Sequence, residues 1–175
     1  MPKTFEKDFI SYCNNQELEV NPNQIAVIKK LEQYYQSNFK SFFSKLFSKQ
    51  NSKKGFYLFG GVGVGKTMIL NFFIDQIDQK KLRQHFNEFM LSFHDFAHER
   101  KGKNEENVIN QFVKNLKLKA SLIYFDEFQV TNIVDAMILG KLFDQIFKED
   151  IKIIVTSNTK ISELYKAGLQ RDQFK

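Results

Sequence analysis

Residues 56–67 read Phe56-Tyr57-Leu58-Phe59-Gly60-Gly61-Val62-Gly63-Val64-Gly65-Lys66-Thr67. A short apolar run that ends in glycine reads as a buried strand. The stretch from Gly60 to Thr67 then matches the phosphate-loop pattern G-x-x-x-x-G-K-[ST] in full. Glycines let such a backbone curl until successive N–H groups face one point. A helix expected over 66–79, with Met68, Ile69, Phe72, Phe73 and Ile77 turned inward, adds the positive end of its dipole. Gly60, Gly61, Val62, Gly63, Val64, Gly65, Lys66 and Thr67 are therefore the expected phosphate-binding set, and ATP with Mg²⁺ is the expected ligand. Lys66 would reach the β- and γ-phosphates, and the Thr67 hydroxyl would bind Mg²⁺. A plain glycine turn is the competing reading, and the strand–loop–helix context argues against it.

Outward from this loop, apolar runs alternate with helical periodicity. Strands are expected over 82–86, 121–125 and 152–156, and helices over 88–100, 105–117, 133–147 and 161–167. Asn132 is the expected cap of the helix over 133–147, whose Val134, Ile138, Leu142 and Ile146 would line one face. On the N-terminal side, residues 1–20 read as polar and irregular. Asn21-Pro22-Asn23 reads as a helix start, a helix is expected over 24–47, and 49–55 is a basic linker. Strands alternating with helices predict an α/β chain with a parallel sheet covered on both faces. The expected division is a polar, helical segment over 1–54 and a phosphate-loop core over 55–175.

Ligands of such sheets sit at the carboxyl ends of the strands, and the remaining motifs fall there. Leu122-Ile123-Tyr124-Phe125-Asp126-Glu127 delivers two carboxylates at a strand end, about 60 residues past the loop. Asp126 would hold Mg²⁺ through water, and Glu127 would polarise the attacking water. An exposed acidic turn is the alternative. The stretch 151–158 ends an apolar strand, expected between the first and third strands, in Asn158. Asn158 would touch the γ-phosphate or orient the water; a turn asparagine is the alternative. Arg171, in Gly168-Leu169-Gln170-Arg171, is a candidate finger acting on a neighbouring subunit's ATP, which requires a homo-oligomer. His94 and His98 stand four apart, but without a cysteine or third histidine nearby they read as exposed polar groups.

Composition sets outer bounds. The length, 175 residues, suits one core. A net charge of +6 with scattered lysines reads as a solvated surface, with attraction to nucleic acid as the alternative. Twenty phenylalanines accompany high Lys, Asn and Ile, a composition bias. The single cysteine, Cys13, excludes an intramolecular disulfide and suits a reducing cytosol. No apolar run approaches the ~20 residues that span a bilayer, and the first residues carry no secretory or transit pattern. A cytoplasmic protein is expected. The apolar stripe Phe39, Phe42, Phe43, Leu46 and Phe47, with Lys40, Lys45 and Lys49 opposite, would pack on its own domain or rest on an anionic membrane or a partner.

Taken together, six blocks resemble the ZapE family of AAA+ ATPases, which is related to mitochondrial AFG-one-like proteins. They are the loop from Gly60 to Met68, His85-Phe86-x-x-Phe89-Met90, Phe125-Asp126-Glu127-Phe128, Asp135-Ala136-Met137-Ile138-Leu139-Gly140, Thr156-Ser157-Asn158, and Leu164-Tyr165-x-x-Gly168-Leu169-Gln170-Arg171-x-x-Phe174. The resemblance runs from about Asn21 to Lys175. It implies an ATPase acting on protein partners, in bacteria a cell-division role involving the FtsZ ring, and in mitochondria protein quality control. Two departures stand out: Val64 occupies a usual arginine position, and Asn87-Glu88 replaces His-Arg. Family members also continue past Phe174, so the last core strand and the helical lid are expected to be missing here, leaving the first strand on an edge. Two other readings stay open: a DNA-associated helicase-loader-type ATPase, and a non-hydrolysing nucleotide-binding module.

Overall fold

The computed structural model describes residues 4–39, 53–130 and 133–164. Within them the chain runs α1 (Phe5–Asn15), α2 (Pro22–Phe39), β1 (Gly55–Phe59), α3 (Lys66–Asp75), β2 (Lys81–His85), α4 (Phe86–His98), α5 (Glu105–Lys119), β3 (Leu122–Asp126), α6 (Ile133–Lys148) and β4 (Lys152–Ser157). A short 3-10 turn follows at Ile161–Glu163.

All four strands are parallel, in the order β1-β4-β3-β2. The strand that leads into Asn158 therefore lies between the phosphate-loop strand and the acidic strand, as the sequence predicts. β3 and β4 are buried along their whole length, whereas β1 and β2, the two edges, are only partly covered. That difference follows from position: a central parallel strand is covered on both faces and reads as a continuous apolar run.

Alternation along the strands divides the core into two layers. On one face, Leu122, Tyr124 and Ile154 pack with Phe5 and Phe9 of α1, Ile28 and Leu31 of α2, and Ile69, Leu70 and Phe73 of α3. On the other, Ile123, Phe125, Ile153 and Val155 meet Phe89 and Phe93 of α4, Phe112 of α5, and Leu139, Leu142 and Ile146 of α6. The phenylalanines are thus structural: Phe86, Phe89, Phe93, Phe112, Phe125 and Phe128 form a chain of edge-to-face and tilted ring pairs through this second layer.

Several expectations need correction. Residues 1–20 are not irregular, because α1 occupies Phe5–Asn15. Its buried face is Phe5, Phe9 and Cys13, one residue per turn, and Cys13 counts here as a small apolar residue. Burial pushes the Cys13 thiol up. The helix expected over 24–47 starts earlier, with Pro22 in its first turn, where a missing N–H costs nothing, and is described to Phe39. β2 gives way to α4 with no loop. Phe86 is helical rather than the end of the strand, and its ring is buried against Phe125 and Phe128. In α6 the inward residues are Ala136, Leu139, Leu142 and Ile146, while Val134 is 54% exposed. Asn132, the segment 40–52 with its basic aromatic stripe, and the residues from Tyr165 to Phe174 with Arg171 lie outside the described residues.

The N-terminus of α5 is capped by Asn104, whose side chain accepts from the Glu106 N–H at 2.8 Å. Replacing Asn104 by Ala is expected to lower stability by about 1 kcal/mol, or roughly 2–4 °C in the melting temperature, with nucleotide binding unchanged. Thermal unfolding followed by circular dichroism checks this.

Candidate functional site

β1 ends at Phe59, and the chain turns through Gly60–Gly65 directly into α3. The Gly60 N–H donates to the Ser157 carbonyl at 3.2 Å, so the loop's root is fixed to the end of β4. Gly63 and Gly65 have φ of 80° and 84°, a left-handed backbone that a side chain would strain. At Gly65 an added Cβ would also stand 2.6 Å from the Gln24 side-chain nitrogen and would displace it.

The Lys66 ammonium donates to the carbonyls of Gly60 and Gly61, both at 2.7 Å, and to Asn158 Oδ1 at 2.9 Å. The phosphate-loop lysine and the asparagine at the end of β4, 92 positions apart, are therefore in direct contact. A cleft of about 320 Å³ opens here, lined by Gly63, Gly65, Lys66, Thr67, Asp126, Glu127 and Asn158, with Val62, Met68, Thr156 and Ser157. Gly60 and Gly61 flank it through their carbonyls. Val64 is half exposed and does not line the cleft, and its carbonyl is taken by Gln24 Nε2 at 3.1 Å. A larger groove of about 740 Å³ lies along β1, but Phe128, Leu139, Phe143, Phe147 and similar residues line it, and among the described residues no carboxylate or cation does. The smaller cleft is the polar one, lined by a lysine, threonines, two carboxylates and an asparagine.

Asp126 ends β3 with only 5% of its surface exposed. Oδ2 accepts from the half-exposed Arg83 at 2.7 Å, and Oδ1 accepts from the Tyr124 hydroxyl at 3.0 Å and the Thr156 hydroxyl at 2.8 Å. Burial pushes this carboxyl up, but the bonds from Arg83, Thr156 and Tyr124 and the Arg83 charge outweigh it and hold Asp126 below the ordinary carboxylate range. Burial, then the neighbouring Asp126 charge, raises the Tyr124 hydroxyl, so it stays a donor. Thr156 also reaches the next residue along, since its Oγ accepts the Glu127 N–H at 3.2 Å. One buried hydroxyl thus fixes both acidic residues. Glu127 is exposed and has φ of 53°, a strained left-handed backbone that turns its side chain out of the strand path.

A carboxyl depressed in the folded state adds stability above its unfolded pKa and loses it as pH falls through the folded one. The chain is therefore expected to lose stability progressively below the ordinary aspartate value of 3.8. Asp126→Asn is expected to flatten that acid limb, as urea unfolding at pH 5 and pH 3 would show.

Arg83, Tyr124, Thr156 and Gln24 escape sequence reasoning. Arg83 belongs to no motif, and its importance comes from register, since it lies opposite Tyr124 in the β2–β3 pair. His94 contacts Asp135 at 2.6 Å, and no group of three potential metal ligands occurs among the described residues. No helix among them is long and apolar enough to cross a membrane.

A family model, the AFG1-like ATPase, matches residues 7–175. The chain belongs to the AFG1-like ATPase family. This AFG1-like chain is 39% identical over 137 residues to Lactation elevated protein 1 homolog B of Danio rerio, covering 73% of this chain and 27% of that protein. It is 37% identical over 130 residues to the Cell division protein ZapE of Escherichia coli, covering 73% of this chain and 34% of that one. The AFG1-like chain therefore spans about a third or less of the length of these relatives. Among solved structures, the replication initiator DnaA bound to AMPPCP and single-stranded DNA superposes with a TM-score of 0.58 at 17% identity, covering 99% of this chain and 47% of that one. That likeness concerns the fold, and the fold is the phosphate-loop core of AAA+ proteins.

Proposed function

We propose that this chain is the nucleotide-binding core of an AAA+ ATPase that couples hydrolysis of Mg-ATP to the remodelling of protein partners. One observation carries the reading: Lys66, Thr67, Asp126, Glu127 and Asn158, drawn from the ends of three neighbouring strands, line one polar cleft. The donor set fits a hard divalent cation, since the Thr67 hydroxyl and the Asp126 carboxylate share the cleft and, among the described residues, no cysteine or histidine lines it. Mg²⁺ held there by Thr67 and Asp126 would neutralise charge on the phosphate oxygens. Loop amides and the Lys66 ammonium bind phosphate oxygens. Asn158, already bonded to Lys66, orients toward the terminal phosphate. Glu127, exposed at the cleft and fixed through its N–H, orients the attacking water and takes its proton. Arg171 would serve the site of a neighbouring subunit in a homo-oligomer.

The fold supports a modified division of labour between segments 1–54 and 55–175. The first supplies α1 and α2, which complete one core layer of the second. The name of the Escherichia coli relative, a cell division protein, supports cell-division machinery as the partner class. An FtsZ-like partner and a cytoplasmic site of action are further parts of the proposal, carried by the family resemblance of the sequence blocks alone. Phosphate release from Mg-ATP by the purified chain tests the reading. Slow turnover abolished by EDTA is expected, and ATP left intact at stoichiometric enzyme would overturn the ATPase in favour of a non-hydrolysing nucleotide-binding module.

A second reading, a DNA-associated ATPase of the helicase-loader type, is favoured by the net charge of +6 and by the likeness to a replication initiator solved with single-stranded DNA. It requires ATP turnover stimulated by DNA with a steep salt dependence.

A further inference from the structure

Helix α2 touches the strand–loop unit at both ends. At the entrance, the Tyr34 hydroxyl donates to the Lys54 carbonyl at 3.1 Å, and Asn38 Nδ2 donates to the Lys53 carbonyl at 3.1 Å. At the exit, Gln24 Nε2 donates to the Val64 carbonyl at 3.1 Å, across 40 positions. Its amide also occupies the space beside Gly65, where φ is 84° and α3 begins. Gln24 is itself held in place. It lies one turn before Ile28, which is fully buried, so both share the inward face of the helix. The Asn21 side chain accepts the Asn23 N–H at 2.9 Å and fixes the start of α2.

A phosphate loop works only if its amides converge on one point, and a carbonyl turned inward would repel phosphate. The Val64 carbonyl is the last before Gly65, and Gln24 keeps it directed at α2. We infer that Gln24 is a positioning residue for nucleotide binding, one that braces the phosphate loop from the N-terminal helix without touching the nucleotide. This rests on the phosphate-loop reading proposed above. It makes ATP affinity depend on how α2 is seated, and so gives the N-terminal helices a part in the site.

The test uses the full chain as wild type, Gln24→Ala, Gln24→Met and Lys66→Ala. Each is titrated with fluorescent ATP and fluorescent GTP in Mg²⁺, and the melting temperature is recorded without nucleotide. Methionine matches glutamine in length but cannot donate. Losing one net hydrogen bond predicts a fall of about three- to tenfold in affinity for both nucleotides in both Gln24 variants. Melting temperatures should stay within roughly 2 °C of wild type, as for a half-buried surface contact. Unchanged affinity in Gln24→Met would overturn the brace, as would a loss confined to ATP, which would make Gln24 a reader of the base. Should Lys66→Ala bind as tightly as wild type, the phosphate-loop reading fails and takes the brace with it; should only the Gln24 variants be silent, the brace alone fails.

Discussion

Glu127→Gln is expected to bind ATP with unchanged affinity and to hydrolyse it at least about 100-fold more slowly in a single turnover, the usual weight of a general base. The separation of binding from chemistry follows from the geometry. The Glu127 side chain is exposed at the cleft, whereas its backbone is fixed by the N–H bond to Thr156, which glutamine keeps. Glutamine has nearly the same shape and accepts the same backbone strain at φ of 53°. Only the ability to take a proton from water is lost. Equal single-turnover rates in the two proteins would remove Glu127 from the chemistry. Rapid-quench measurement of labelled ATP with enzyme in excess gives the answer without interference from product release.

Lys66→Ala is expected to weaken ATP binding by about 100-fold. Charge-assisted hydrogen bonds contribute roughly 1.5–3 kcal/mol each, and about 1.4 kcal/mol is a factor of ten. The substitution also frees the carbonyls of Gly60 and Gly61 and Asn158 Oδ1, which the ammonium now holds within 2.9 Å or less. Those oxygens sit at an exposed cleft and can turn to water, so stability should change by only a few tenths of a kcal/mol. A large loss of affinity with a small loss of stability would be the signature of a ligand contact rather than a folding contact. Calorimetric titration and thermal unfolding on the same preparation separate the two.

Much of this was legible from the residues. The phosphate loop carries its own geometry, because glycine spacing, the following lysine and the preceding apolar run each demand the strand–loop–helix found at 55–75. The apolar runs at 122–125 and 153–155 likewise announce strands, and both strands are buried along their whole length. Other features could not be read so directly. α1 has a one-residue-per-turn stripe of Phe5, Phe9 and Cys13 in an otherwise polar stretch, too narrow to stand out without α2 and α3 to cover it. The β2–α4 boundary was blurred because Phe86 would be apolar in either state. Arg83 and Thr156 matter only through register: parallel pairing sets Arg83 beside Tyr124 and brings the Thr156 hydroxyl within reach of Asp126. Gln24 matters only because α2 packs back against the strand–loop unit. Such roles depend on neighbours distant in sequence, and local pattern does not encode them.

On the proposed reading, the cleft between Lys66 and Asp126 holds a nucleotide together with a divalent cation. Calorimetric titration of the wild-type chain with ATP, once in Mg²⁺ and once in EDTA, tests it most directly. One site per chain, with affinity clearly higher in Mg²⁺ than in EDTA, is the predicted result; no saturable binding in either buffer, or equal affinity in both, would contradict it.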